Sequence, residues 1–263
     1  MMAMRPESYV GITGFETGAQ VGAVRAALPA DRLLMVGCGI HGKPPDWNPF
    51  KWPNRCPPTP RLSGIFLPYN NVLNILHIHP DAGFDLFENL SRAHEAAGPC
   101  FHGFQLNTMW PSVKALVQYK KRHPGACITI ALQEESLDAV NWEPKAVARR
   151  LALYGDTFDR VILDPSAGEG KAINVDFTRR TYEAIEKLLP NVGLVAAGGL
   201  HGDNAEESLS DLLRQFALST DAESKLRDFP ADLLNMRKAI RYVQATDALL
   251  RKHEAHRNPQ PVN

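Results

Sequence analysis

Eight short apolar runs punctuate this chain, and their repetition restricts what it can fold into. They fall at 9–13, 33–38, 72–79, 101–106, 127–132, 160–164, 193–197 and 216–220, spaced by roughly 25–40 residues. Each is too short for a core helix and too continuously apolar for a strand with one wet face. Such runs read as strands buried on both sides, the signature of parallel sheets. Between most of them, apolar residues recur at helical spacing. Phe87, Leu90, Ala93 and Ala97 share one face of 84–97, and Phe177, Thr181, Ile185 and Leu188 one face of 177–189. Pro144 opens the helical pattern of 143–154, and 233–252 reads as a long closing helix. Strand–helix alternation predicts a parallel sheet. Eight units in 263 residues fit an α/β fold of the closed (β/α)8 barrel type, one domain over 1–263, better than an open doubly wound sheet. No GxGxxG follows the first strand, which argues against a dinucleotide site.

The stretch 39–69 breaks the rhythm. Pro44, Pro45, Pro49, Pro53, Pro57, Pro58, Pro60 and Pro68 crowd it, with Trp47, Phe50 and Trp52 among them. Proline lacks the amide donor and clashes with the preceding turn, so a proline-rich insertion is expected in place of the second helix. A short strand at 64–67 (GIFL) is the element it could hold. Its aromatics favour an ordered lid over the barrel mouth or a subunit contact in a homodimer. The polar tail 254–263 is expected to be loose.

Charge excludes some partners. Acids and bases balance at 29 each, which gives no reason to propose nucleic acid or an anionic membrane surface. No apolar run approaches the roughly 18 residues of a spanning helix. The start, MMAMRPESYV, lacks the apolar core of a secretion signal, so a cytoplasmic protein is expected. Cys38, Cys56, Cys100 and Cys127 show no CxxC spacing. Neither a metal site nor a cofactor is expected.

In a barrel all strand ends share one rim, so the polar residues there can be collected from the sequence. They are Thr13, Cys38 with His41, His77 with His79, Gln105 with Asn107, Gln133 with Glu134, Asp164, Gly198 with Gly199, and Asp221 with Glu223. His77 and His79 are read as facing opposite ways, leaving one at the mouth. Gln105, between Phe104 and Leu106, must find hydrogen-bond partners if it points inward. Asp164 ends an apolar strand and precedes a loop with Gly168 and Gly170; the competing reading is an aspartate that anchors the loop. Gly198-Gly199 lets backbone amides approach an anionic oxygen without a side chain intervening. The competing reading there is a tight turn into the next helix. A small-molecule ligand bearing phosphate is the implied partner.

Four segments, in order, resemble the phosphoribosylanthranilate isomerase family of (β/α)8 barrels. VGITGFET (10–17) is similar to its VKICGLT, and GFQLN (103–107) to its QLHG. ILDPSAGEGKAINVDF (162–177) is similar to its LLD…GGTGKTFDW, and AAGGLHGDNAEE (196–207) to its LAGGLNPENV. The resemblance implies that Asp164 is the general acid and that Gly198 and Gly199 hold substrate phosphate. It implies an Amadori rearrangement, which needs an acid to open a sugar ring and a base to take the C2 proton. Two positions depart from the family. Its general-base cysteine is Thr13 here, whose hydroxyl is a far weaker base. After the eighth strand, STDAESKLRD (219–228) replaces a serine–glycine run and puts Asp221 where phosphate contacts would lie, with Lys225 or Arg227 near enough in sequence to offset its charge. Glu134 and Glu169 are the carboxylates that could stand in for the base. Two functions follow: an isomerase-like enzyme acting through Asp164, or a relative that has lost the rearrangement and binds a metabolite or a protein partner.

Overall fold

A computed structural model describes residues 5–41, 54–79, 85–165 and 169–257. Its eight barrel strands are β1 (Tyr9–Thr13), β2 (Leu33–His41), β3 (Val72–His79), β4 (Gly103–Leu106), β5 (Cys127–Leu132), β6 (Arg160–Leu163), β7 (Gly193–Ala197) and β8 (Leu218–Ala222). Every neighbouring pair is parallel, and β1 closes on β8 with Val10 opposite Thr220 and Gly11 opposite Asp221. The fold is a closed (β/α)8 barrel.

Strand periodicity divides the apolar residues into two layers. Tyr9, Met35, Ile75, Ala131, Ile162, Val195 and Ala197 fill the barrel interior. Val10, Val36, Leu76, Phe104, Ile130 and Val161 alternate with them and face the helices. Both faces of each strand are therefore buried, which is why the strands read as unbroken apolar runs. Arg160 closes the N-terminal end of the barrel. Its guanidinium lies 5.4 Å from the Tyr9 ring centroid and donates to Cys127 Sγ at 2.9 Å and to the Glu7 carbonyl at 3.0 Å. Ligand access is therefore left to the opposite end.

The helices are α1 (Gly18–Ala26), α2 (Leu62–Ile65), α3 (Leu86–Ala97), α4 (Val113–Arg122), α5 (Glu134–Asp138), α6 (Pro144–Ala152), α7 (Val175–Leu188), α8 (Ala205–Leu213) and α9 (Met236–Arg257). Thr17 starts α1 with a reciprocal capping box to Gln20, and Asp85, Ser112 and Asn174 cap α3, α4 and α7. No described helix is long and apolar enough to cross a membrane.

Several expectations need correction. The 64–67 strand is absent: Leu62–Ile65 is the one-turn helix α2, which buries Leu62 and Ile65 between α1 and α3. The second helical position is thus reduced rather than vacant. β2 continues to His41, so the irregular stretch begins later than 39; the lid or homodimer role expected for it falls largely on 42–53, outside the described residues. β8 runs two residues further than expected, which puts Asp221 inside the strand. Leu233–Leu234 pairs antiparallel with Arg227–Asp228 as a small hairpin, β10 with β9, instead of opening the last helix. Residues 254–257, expected to be loose, belong to α9, where Glu254 accepts from Arg32 at 2.8 Å and Arg257 donates to the Phe216 carbonyl at 2.9 Å.

Candidate functional site

The inner apolar layer gives way to polar side chains at the C-terminal mouth. On β3, Ile75 points inward, so His77 and His79 do so as well; residues two apart share a face, and the expectation that the histidines diverge was wrong. On β6, Ile162 points inward and Asp164 follows it, its amide continuing the ladder to the Leu132 carbonyl at 3.2 Å. On β8, the Ser219 hydroxyl accepts from the Tyr9 amide at 3.1 Å, and Asp221 lies two residues further on the same face.

A hydrogen-bonded chain crosses the interior. Thr13 Oγ1 donates to the Asp221 carboxyl, 3.1 Å from each oxygen, and lies 3.3 Å from His77 Nε2. His77 Nδ1 is 3.2 Å from Gln105 Nε2, which also donates to Asn107 Oδ1 at 3.1 Å. Asn107 Nδ2 reaches His79 Nε2 at 2.7 Å. Gln105 thus finds the partners its burial demands. Gly37 makes room for the chain: a Cβ there would stand 2.4 Å from Thr13 Oγ1 and 2.9 Å from His77 Nε2.

Burial sets the electrostatics. It pushes the Asp221 carboxyl well above the usual carboxylate range, reinforced by Glu223 and Asp164 and opposed by the Thr13 hydrogen bond. Glu223 is raised by burial and by Asp164, while Arg55 and Arg227 oppose that shift. Burial, helped by His79, holds His77 down to about 3. Burial and His41 hold His79 down to about 4. Both imidazoles are therefore neutral at pH 7. Among the described residues, no three His, Cys, Asp or Glu side chains are placed to hold a metal ion.

One wall of the mouth is an arginine clamp that sequence reasoning missed. Asp232 Oδ1 accepts from Arg55 at 2.9 Å and from Arg227 at 3.1 Å. Arg55 also reaches Ser224 at 3.1 Å and Glu223 at 3.4 Å, and Arg227 reaches Glu16 and the Gly14 carbonyl, each at 2.8 Å. Arg227 is therefore engaged and does not neutralise Asp221. No spacing signal could have singled out Arg55 among the prolines.

The loops after β6, β7 and β8 converge on one corner. Gly199 adopts φ +58°, and a Cβ on it would stand 2.7 Å from the Gly170 carbonyl oxygen. Gly198 packs likewise on the Lys171 carbonyl. Gly170 in turn faces the side chains of Ser224 and Lys225. The glycine pair is thus required by close backbone packing whether or not an anion binds there. Gly168 lies outside the described residues. Glu134 and Glu169 are both exposed, the first in the opening turn of α5 and the second paired to Lys171 at 3.2 Å; neither takes part in the Thr13–Asp221 chain.

The chain matches no sequence-family model and no curated protein. Solved structures do match. The alpha subunit of tryptophan synthase from Legionella pneumophila superposes with a TM-score of 0.59 at 10% identity, over 94% of this chain and 93% of that one. A putative deoxyribose-phosphate aldolase from Coccidioides immitis gives 0.55 at 14% identity, over 84% and 81%. A Rubisco-like protein from Rhodopseudomonas palustris gives 0.55 at 13% identity, covering 92% of this chain but 64% of its own length. The likeness is one of fold alone. It bears on the barrel and leaves the isomerase resemblance resting on the sequence motifs.

Proposed function

We propose that the barrel mouth binds a small, hydroxyl-rich sugar phosphate and carries out isomerase-type acid–base chemistry on it, with Asp164 as general acid. The observation that supports this is the convergence of Asp164, Asp221 and Glu223 on one half-buried rim, beside the neutral donors and acceptors of Thr13, Gln105 and Asn107. The raised proton affinity of Asp221 and Glu223 suits this rim to proton transfer near neutral pH. Hydroxyl groups of a sugar match the polar ring. A phosphate does not fit beside the carboxylates, where each repulsion costs on the order of 1–4 kcal/mol. It is assigned instead to the Gly198–Gly199 corner, with Lys225 as its cation. Asp221, expected among the phosphate contacts, is thereby assigned to the sugar end.

A second reading, a barrel that binds without turnover, is favoured by one observation. The Thr13 hydroxyl is directed at Asp221 and so offers no base of its own.

Thermal shift separates these readings from neither being right. Ribose 5-phosphate should raise the melting temperature more than ribose or inorganic phosphate, approaching about 2.7 kcal/mol of stabilisation at a hundred times Kd. Lys225→Ala should weaken the responses to phosphate and ribose 5-phosphate and spare that to ribose. Absence of any response ends the sugar-phosphate reading. With binding established, turnover retained in Asp164→Asn would remove Asp164 from the acid role.

A further inference from the structure

We propose that Asp221 is the second proton-transfer group of the mouth, a general base held in place by Thr13, His77 and Gln105 acting as positioning residues. This rests on the acid–base reading above and supplies the base that reading lacks.

The placement comes from strand register. Leu163 pairs with Ala196 and Ala197 pairs with Asp221, so Asp164 and Asp221 stand at one level on either side of β7. Two strand spacings separate their backbones by roughly 9–10 Å, and both side chains lean into the barrel. A sugar carbon and its neighbouring oxygen would lie between them.

Proton bookkeeping along the chain is fully determined. With Asp221 ionised, Thr13 gives its one proton to the carboxylate. Its oxygen must then accept from His77 Nε2–H, and His77 Nδ1 must accept from Gln105 Nε2. Gln105 uses its second amide proton on Asn107 Oδ1, and Asn107 donates to His79. Each link from Asp221 to His79 joins one donor to one acceptor, with a single tautomer of each histidine. The arrangement therefore aims a permanent donor at one side of Asp221 and leaves its charge to face the ligand. Burial raises its proton affinity while the Thr13 bond keeps the ionised form accessible, the compromise a base needs near neutral pH. The charged or titratable groups facing it are Asp164 just after β6, Glu223 just after its own strand, Tyr9 from β1 and Tyr242 from α9; His77 reaches it through Thr13.

The step is a balanced proton shuttle. Asp221 takes the proton from the carbon beside the sugar carbonyl, and the C–H pair becomes the C=C of an enediol. Asp164 gives a proton to the carbonyl oxygen. Reversal toward the neighbouring carbon completes an aldose–ketose interconversion and restores both carboxyls.

Titration of Asp221 tests the placement without any ligand. In protein carrying 13C-labelled aspartate, the signal that disappears in Asp221→Asn should titrate above the ordinary aspartate midpoint of about 3.9. Thr13→Val should move that midpoint up by about one unit, a tenfold gain in proton affinity, and Thr13→Ser should restore it. Should Thr13→Val fail to fold, His77→Leu reads the same link one bond further away. An ordinary midpoint, or one indifferent to Thr13, overturns the proposal. For chemistry, the C2 proton of ribose 5-phosphate should exchange with D2O. Asp221→Asn should slow this roughly a hundredfold while the sugar phosphate still protects against melting. Undiminished exchange overturns the role of base. If wild-type protein binds no ribose 5-phosphate, the sugar-phosphate reading falls, and the titration alone decides the placement of Asp221.

Discussion

A carboxyl buried beside two others is a costly residue, and Asp221 shows its cost through pH. Its proton affinity is raised on folding by burial, Glu223 and Asp164. The native state then holds its proton over a range where the unfolded chain has already lost it. Stability from this group is thus fully present below the unfolded value, about 3.9, and is lost as pH climbs through the folded one. Asp221→Asn keeps an acceptor for the Thr13 hydroxyl and discards the charge. At about pH 8 the variant should be the more stable by on the order of 1 kcal/mol, and near pH 4 the advantage should vanish. Urea unfolding at the two pH values checks this, and a gap that does not change with pH would refute it. The strand-end positions of Thr13, Gln105, Asp164 and Asp221 were legible because a polar residue closing an apolar run has little packing reason to be there. Their mutual contacts were not, since Thr13 and Asp221 meet only through the closure of β1 on β8, 208 residues apart.

At the scale of elements, strands were easier to read than the segments that join them. β1, β3, β5 and β7 have the expected bounds because burial on both faces keeps most of their positions apolar. β8 was misplaced because Ser219, Thr220 and Asp221 lack that apolar character: the strand carries its polar groups where the interior turns into the mouth. The helix α2 was hidden by the prolines before it, although Pro60 sits in the single 3-10 turn that leads into it. The clamp between residue 55 and the loop after β8 had no local signal at all. Its keystone is Asp232, 7% exposed and shared by two guanidinium groups that are themselves buried. Asp232→Ala leaves both charges short of a counter-ion in a dry wall, a loss of about 3–5 kcal/mol for a buried pair. Limited proteolysis should then cut near residue 54 far sooner than in the wild type, and a double variant that also carries Arg55→Met should recover part of the lost stability. Unchanged melting in Asp232→Ala would show that Glu16 and Glu223 suffice.

Across the whole molecule, the barrel is sealed at one end by Arg160 and lined at the other by imidazoles that folding forbids to charge. That asymmetry makes a definite statement about acid. His77 is 4% exposed and held down to about 3, whereas in the unfolded chain it titrates at its ordinary value of about 6.5. Between those values the unfolded state binds a proton that the native state does not, so stability rises with pH across the window and falls as acid is added. The contribution is fully present above about 6.5 and declines by about 1.4 kcal/mol per pH unit below it. Asp221 works in the opposite sense over its own range, so the whole-protein profile alone does not isolate the histidine. The comparison with His77→Gln does, because glutamine preserves a donor toward Thr13 and cannot take up the proton. From pH 6.5 to pH 5, the wild type should lose about 2 kcal/mol more than the variant in urea unfolding. The remaining acid sensitivity, shared by both, belongs to His79 and the other histidines that folding holds below their ordinary value. Parallel profiles for the two proteins would mean that His77 already carries a proton in the native barrel. The Thr13 hydroxyl would still reach Asp221, but Gln105 would then face a protonated Nδ1 with its amide oxygen, and only the Gln105 leg of the chain would change direction.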